Sequence, residues 1–408
     1  MQCRACQQEL NHTFVDLGVS PLSNSYLAAD SLEAMEPHYP LKVLLCTHCW
    51  LVQLGAATKP ENIFSDYAYF SSFSETWLLH AKDYVEKMIQ RFEFNESHKV
   101  IEIASNDGYL LQYFVQRGIG VLGIEPAANV ARAAVAKGVE TLVKFFGTET
   151  AGEMVGEGEA ADLLLGNNVL AHVPDLNDFI AGMKIALKPG GVITMEFPHL
   201  MRLMAENQFD TIYHEHFSYF SFLSVEKAFA RHGITLFDVE ELSTHGGSLR
   251  IYGCHAGDAA RPITDNVDEL RGRELSAGFD RIEIYQGFAK QVEKSKRDLL
   301  EFLIEAKRQA KTVVGYGAPA KGNTLLNYCG IGADFLDYTV DRSPHKQGHF
   351  LPGTRIPIFA PEKISETRPD YVLILPWNLK DEIASQMAHI REWGGRFVVP
   401  IPAVEVLP

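Results

Sequence analysis

Apolar and polar positions follow two different periods along this chain, and the switches between them mark its elements. From about Glu75 to Phe92 the apolar residues fall at helical spacing and predict an amphipathic helix. Lys99–Ile103 is a short apolar run that predicts a buried strand. Further strands read at Val121–Glu125, Ala161–Gly166 and Gly191–Phe197, the last after Leu187-Lys188-Pro189-Gly190-Gly191, a helix stop of Pro and Gly. Helical patterns fill the gaps, so this region predicts a βαβ series. Ile234–Leu242 and Ser248–His255, parted by Gly246-Gly247, predict a closing antiparallel hairpin. A charged segment from about Asp268 to Ala310 alternates acids and bases, as a helix with a solvated face does. Beyond it a second, smaller Rossmann-like series reads with strands at Thr312–Tyr316, Tyr338–Asp341, Tyr371–Leu375 and Phe397–Pro400. The fold class is α/β, and the expected division is a module over 1–65, a central domain over 66–258, a helical linker over 259–310 and a C-terminal domain over 311–408.

Composition narrows the class. At 408 residues, two or three domains are expected. A net charge of −15 disfavours a nucleic-acid or anionic-membrane binder, although a local basic pocket can still hold a phosphorylated small molecule. Met1-Gln2-Cys3-Arg4 does not open a signal region, and no apolar stretch reaches membrane-spanning length, so a cytoplasmic location is expected. Four of the six cysteines form two C-x-x-C pairs, Cys3/Cys6 and Cys46/Cys49. Two such knuckles complete a tetrahedral zinc site, with the strand-like Thr13–Leu17 in the loop between them. Four thiolates leave no place for water, so the zinc is structural. Four unrelated buried cysteines are the bland alternative.

The strand Lys99–Ile103 breaks into Ala104-Ser105-Asn106-Asp107-Gly108 before a helix expected near Tyr109. Glu102-x-Ala104-x-x-x-Gly108 lacks the full glycine fingerprint of dinucleotide sites but matches the looser pattern of S-adenosylmethionine-dependent methyltransferases. Glu102 would face the ligand's ammonium, the backbone around Asn106 its carboxylate, and Glu125 its ribose. Asn167 and Asn168 end the next strand, on the methyl-donor side. A second turn, Gly315-Tyr316-Gly317-Ala318-Pro319-Ala320-Lys321-Gly322, follows a strand, and Asp341 ends the next one. An NAD-binding lobe is one reading. Pro319 removes an amide from the cradle, and Lys321 suits the diphosphate of a substrate equally well. Tyr316 and Trp377 read as base-stacking residues or as packing.

Tyr213-His214-Glu215-His216 places four proton-competent side chains in succession. Its histidines are two apart, which excludes a helical H-E-x-x-H zinc pair. In an extended segment Tyr213 and Glu215 would face one side and the two histidines the other, whereas a turn would break that rule. With the cysteine module, the Asp66-Tyr67 segment, the Glu102–Gly108 loop, Asn167-Asn168-Val169-Leu170-Ala171-His172 and the Gly315–Gly322 turn in this order, nearly the whole chain resembles the sugar C-methyltransferases of deoxysugar biosynthesis. That family methylates C-3 of nucleotide-linked 4-keto hexoses. The resemblance implies a central lobe that binds S-adenosylmethionine and a C-terminal lobe that helps hold the sugar nucleotide, thymidine-linked (dTDP) by family expectation, without a redox cofactor. It also implies Tyr67, His172, Tyr213, Glu215 and His216 around the sugar, with His216 as base. Rival readings are an O-methyltransferase, an NAD-dependent sugar oxidoreductase and a zinc-ribbon binding protein.

Overall fold

The structure is a computed structural model that describes residues 1–55 and 71–407. Three sheets organise it. The central sheet has seven strands, in chain order Lys99–Ile103, Gly120–Ile124, Thr141–Leu142, Ala161–Asn167, Leu187–Pro198, Ile234–Leu242 and Ser248–His255. Numbered one to seven within this sheet, they lie in the order 3-2-1-4-5-7-6, with the first five parallel and the closing hairpin antiparallel. The order reverses between the first and fourth strands, and a ligand crevice opens at the carboxyl ends of strands flanking such a reversal.

The helix Glu75–Phe92 covers one face through Ala81, Tyr84, Val85 and Met88, a helical-period stripe. Its N-terminus is capped by Ser74, whose side chain accepts from the Trp77 N–H. The C-terminal sheet runs Ile358–Phe359, Thr339–Val340, Val313–Tyr316, Tyr371–Ile374, Arg396–Val399, Glu405–Leu407. Its first five strands are parallel and the last is antiparallel. This is a doubly wound order with its own reversal beside Val313–Tyr316.

The N-terminal sheet pairs His12–Ser20, Tyr39–Leu45 and Val52–Leu54 with a fourth strand, Ser218–Tyr219, from far along the chain. Phe14 of this sheet stacks on Phe288 with ring centroids 4.6 Å apart, so the N-terminal module and the C-terminal lobe share one core.

Two expectations change. The charged segment is three helices, Asp265–Ala277, Ile282–Gln286 and Phe288–Arg308, because Gly278 turns left-handed at φ 89° and ends the first. Its Glu274 is buried rather than solvated. It accepts from the N–H groups of Phe222 at 2.7 Å and Leu223 at 2.8 Å, opening the helix Phe222–Arg231, and meets His199 Nε2 at 2.7 Å. The Leu187–Gly191 stop also differs: the helix ends at Ala186 and the strand starts at once, Leu187 pairing with Ala161.

Candidate active site

The four cysteines Cys3, Cys6, Cys46 and Cys49 converge. Their sulfur atoms lie within 4.8 Å of one another and are buried, with Cys3 Sγ 3.6 Å from Cys49 Sγ and Cys6 Sγ 3.4 Å from Cys46 Sγ. A tetrahedral zinc with bonds of about 2.3 Å sets its sulfurs about 3.8 Å apart, so this donor set fits zinc. Gln53 Nε2 donates to Cys3 Sγ at 3.1 Å while Gln53 Oε1 accepts from the Arg4 N–H, an outer contact that fixes the thiolate.

At the central crevice, Ala104 and Asn106 adopt left-handed φ of 55° and 49°, and Gly108 lies at 73°. A Cβ on Gly108 would come within 3.0 Å of Val139 Cγ2 and 3.3 Å of Ala134, so the loop packs down onto the end of the helix Ala128–Ala136. Glu125 holds it there, its carboxylate accepting from the N–H of Asn106 at 3.0 Å and of Ala127 at 2.9 Å. Burial raises the Glu125 carboxyl above its usual pKa, and those two donors hold part of the rise back.

Both oxygens of Glu102 are buried without a hydrogen bond, and burial drives its pKa well above the carboxylate range. The amide of Asn167 and the Oδ1 of Asn168 are likewise buried and unsatisfied. Orphaned acid and amide groups at the strand ends fit a ligand carrying an ammonium and hydroxyls, as S-adenosylmethionine does.

The Tyr213–His216 run is a turn, His216 N–H bonding back to the Tyr213 carbonyl at 3.0 Å, so strand alternation does not apply. Tyr213 and His216 come together instead. His216 Nδ1 lies 2.9 Å from the Thr211 carbonyl, which can only accept. Nδ1 therefore carries the proton, and Nε2 accepts from the Tyr213 hydroxyl at 2.9 Å. His172 packs edge-on, its ring centroid 4.6 Å from that of His216. Burial lowers His172 to about 4 and, with His172 adding to it, takes His216 well below the ordinary imidazole value, so both rings are neutral near pH 7.

Glu215 faces elsewhere: Asn24, in the segment after His12–Ser20, donates to its Oε1 at 2.5 Å. His214 turns to the Tyr39 and Pro40 carbonyls, 3.3 Å away. Tyr67 lies outside the described residues.

Lys321, from the C-terminal lobe, lies beside Asp210, in the segment that leads into this turn. Its ammonium sits 4.3 Å above the Trp377 ring and contacts Asn378 Oδ1. Burial lowers it to about 8, against the attraction of Asp210, a carboxyl that burial raises to about 7. Trp377 Nε1 donates to Asp210 Oδ2 at 2.7 Å and the ring is buried, so Trp377 is packing between the lobes rather than a free stacking surface. Tyr316 is buried at its strand end near Arg342 and Asp341. Asp341 accepts from the Ala318 and Ser343 N–H groups, both at 2.8 Å, and so ties down its own loop.

Asn24, Asp210 and His245 of the hairpin turn were not legible in the sequence. Asn24 and Asp210 are single polar residues whose hydrogen-bond partners come from distant elements, and His245 is a lone histidine that meets a distant ring, Trp77.

Three family models tile the chain: a zinc binding domain over residues 3–64, a methyltransferase domain over 77–239 and a C-methyltransferase C-terminal domain over 243–402. The C-methyltransferase NovU of Streptomyces niveus is 36% identical over 406 residues, which is all of this chain and 96% of that protein. A ubiquinone biosynthesis O-methyltransferase of Bartonella tribocorum is 31% identical over 96 residues, 23% of this chain and 39% of its own. Among solved structures, the magnesium protoporphyrin IX methyltransferase of Synechocystis with bound SAM is similar at TM-score 0.34 and 12% identity, over 44% of this chain and 79% of that one.

Proposed function

The chain belongs to the C-methyltransferase family, and from that premise we propose that it methylates C-3 of a nucleotide-linked 4-keto deoxysugar, with thymidine diphosphate as the carrier. S-adenosylmethionine supplies an electrophilic methyl group on sulfonium when bound. Glu102, Ala104, Asn106, Gly108 and Glu125, with Asn167 and Asn168, form the crevice that holds it in this reading.

Hydrogen on a carbon beside a ketone can be taken by a positioned base when the enolate oxygen is stabilised. The observation that carries the reading is the hydrogen-bonded Tyr213–His216 pair, neutral and buried against His172. A neutral imidazole whose Nδ1 is fixed on a carbonyl directs its one Nε2 lone pair at the Tyr213 hydroxyl, so it takes that hydroxyl's proton as the Tyr213 oxygen takes the proton from C-3. His172 supports the ring, and Glu215, tethered to Asn24, is assigned to the sugar site, as is Tyr67, on the family resemblance alone. Lys321, arriving from the C-terminal lobe, offers its charge to the diphosphate, and Tyr316 lines the same lobe.

The test is to incubate the protein with methyl-labelled S-adenosylmethionine and a panel of thymidine- and guanosine-linked keto sugars. Label on C-3 of a thymidine-linked 4-keto sugar, seen by NMR as a methyl on carbon, is the expected result. A methyl on oxygen, or no labelled keto sugar, defeats the proposal.

A further inference from the structure

The turn that joins Ile234–Leu242 to Ser248–His255 is held from several sides. The Thr244 hydroxyl donates to Glu196 Oε1 at 2.8 Å, Gln208 Nε2 donates to the Gly246 carbonyl at 2.7 Å, and the His199 N–H bonds the Gly247 carbonyl at 3.0 Å. A Cβ on Gly246 would sit 2.8 Å from Trp377 Cη2, so the C-terminal lobe presses on the turn directly. Within it His245 adopts φ 55°, ψ 21°, a left-handed conformation that Gly or Asn would take at lower cost. Its Nε2 is buried and has no hydrogen-bond partner. A strained backbone position whose side chain carries an orphaned polar atom, in a turn otherwise satisfied, marks a functional position.

Its surroundings say which function. The ring packs 5.1 Å from Trp77, which also lies 6.0 Å from Tyr109 at the end of the cofactor loop. Its charge state acts on both His172 and His216, and Lys321 acts on it in turn. The Glu196 that anchors the turn also accepts the Asn168 N–H through its carbonyl. His245 thus stands where the cofactor crevice, the Tyr213–His216 pair and the C-terminal lobe meet. The Tyr213 hydroxyl is already donated to His216 Nε2 and cannot also serve a substrate oxygen while that bond holds.

We propose that His245 is a further catalytic residue, its Nε2–H donating to the ketone oxygen of the acceptor, where negative charge develops. This rests on the keto-sugar reading above. The C-3–H bond breaks and its proton goes to the Tyr213–His216 pair. The electron pair forms the C-3–C-4 double bond and moves the carbonyl pair onto the oxygen facing His245. That pair then returns through C-3 to the methyl carbon, whose bond to sulfur breaks with both electrons left on sulfur. Burial holds the His245 ring to a pKa of about 4, and a neutral imidazole is a suitable donor to such an oxygen.

The test compares the wild-type enzyme with His245→Ala and His245→Gln on the keto sugar the wild type accepts. Loss of an oxyanion donor lowers kcat by about 100-fold. That loss is expected in His245→Ala, with a larger isotope effect from deuterium at C-3, unchanged S-adenosylmethionine affinity and an unchanged melting temperature. His245→Gln, which keeps an N–H, is expected to recover part of the rate. A wild-type rate in His245→Ala overturns the proposal. So does a slow variant whose isotope effect is unchanged while cofactor affinity or melting temperature falls, because that is the behaviour of a scaffold residue. A wild type that labels no keto sugar sinks the functional reading and this proposal together, whereas an active wild type with an indifferent His245 sinks only the latter.

Discussion

His216 illustrates how much one side chain's surroundings decide. Burial, with His172 beside it, keeps its pKa well below 6.5. A lowered pKa means the base form persists to lower pH, so kcat for methyl transfer should hold from about pH 8 down past the ordinary imidazole range and fall only beneath it. A pH–rate profile already halved near about pH 7 would contradict this. His216→Asn is expected to lose most methyl transfer while still binding S-adenosylmethionine, as calorimetry would report; wild-type turnover would remove His216 from the base role. The concentration of Tyr213, His214, Glu215 and His216 was visible in the chain, but not which of them meet. The turn sends His214 to backbone carbonyls and joins Tyr213 to His216. His245 gave no signal at all, since a lone histidine ahead of two glycines reads as surface loop.

Elements with a clear period were legible, and those set by a distant partner were not. Glu75–Phe92 and Lys99–Ile103 have the boundaries that their patterns predict. Gly108 closes the turn between that strand and the helix Leu111–Val115, at φ 73° and against Val139. Gly108→Ala should cost about 1–2 kcal/mol of stability from the left-handed backbone, and should weaken cofactor binding as the loop shifts. Urea unfolding and titration calorimetry would measure the two effects. The charged segment deceived by composition: its acids and bases alternate, yet Glu274 is buried to close the first turn of Phe222–Arg231. Glu274→Ala leaves two helix N–H groups and His199 without their acceptor, and should lower stability by about 3 kcal/mol. A variant as stable as wild type in urea would show that water replaces the carboxylate at no cost.

For the molecule as a whole, the cysteine spacing announced a closed tetrahedral site, and the sulfur geometry agrees with it. Its reach was hidden, because the pairing of Val52 with Tyr219 and Gln53 with Ser218 joins residues some two-fifths of the chain apart. Gln53 holds both ends of this connection, donating to Cys3 Sγ while its backbone pairs beside the strand that follows His216. Stripping zinc with a chelator, or replacing Cys46 by Ser, should lower the melting temperature. It should also raise hydrogen exchange at residues 216–220 before exchange rises in the central sheet. Protection at 216–220 that survives metal loss would separate the two regions.

The shared sheet also limits how such a protein can be recombined. A cassette cut after the cysteine knuckles and exchanged for that of a relative would arrive with three strands shaped for a fourth it had never met. A working chimera must carry the Tyr213–Tyr219 stretch along with its first 55 residues, however far apart they lie in the gene.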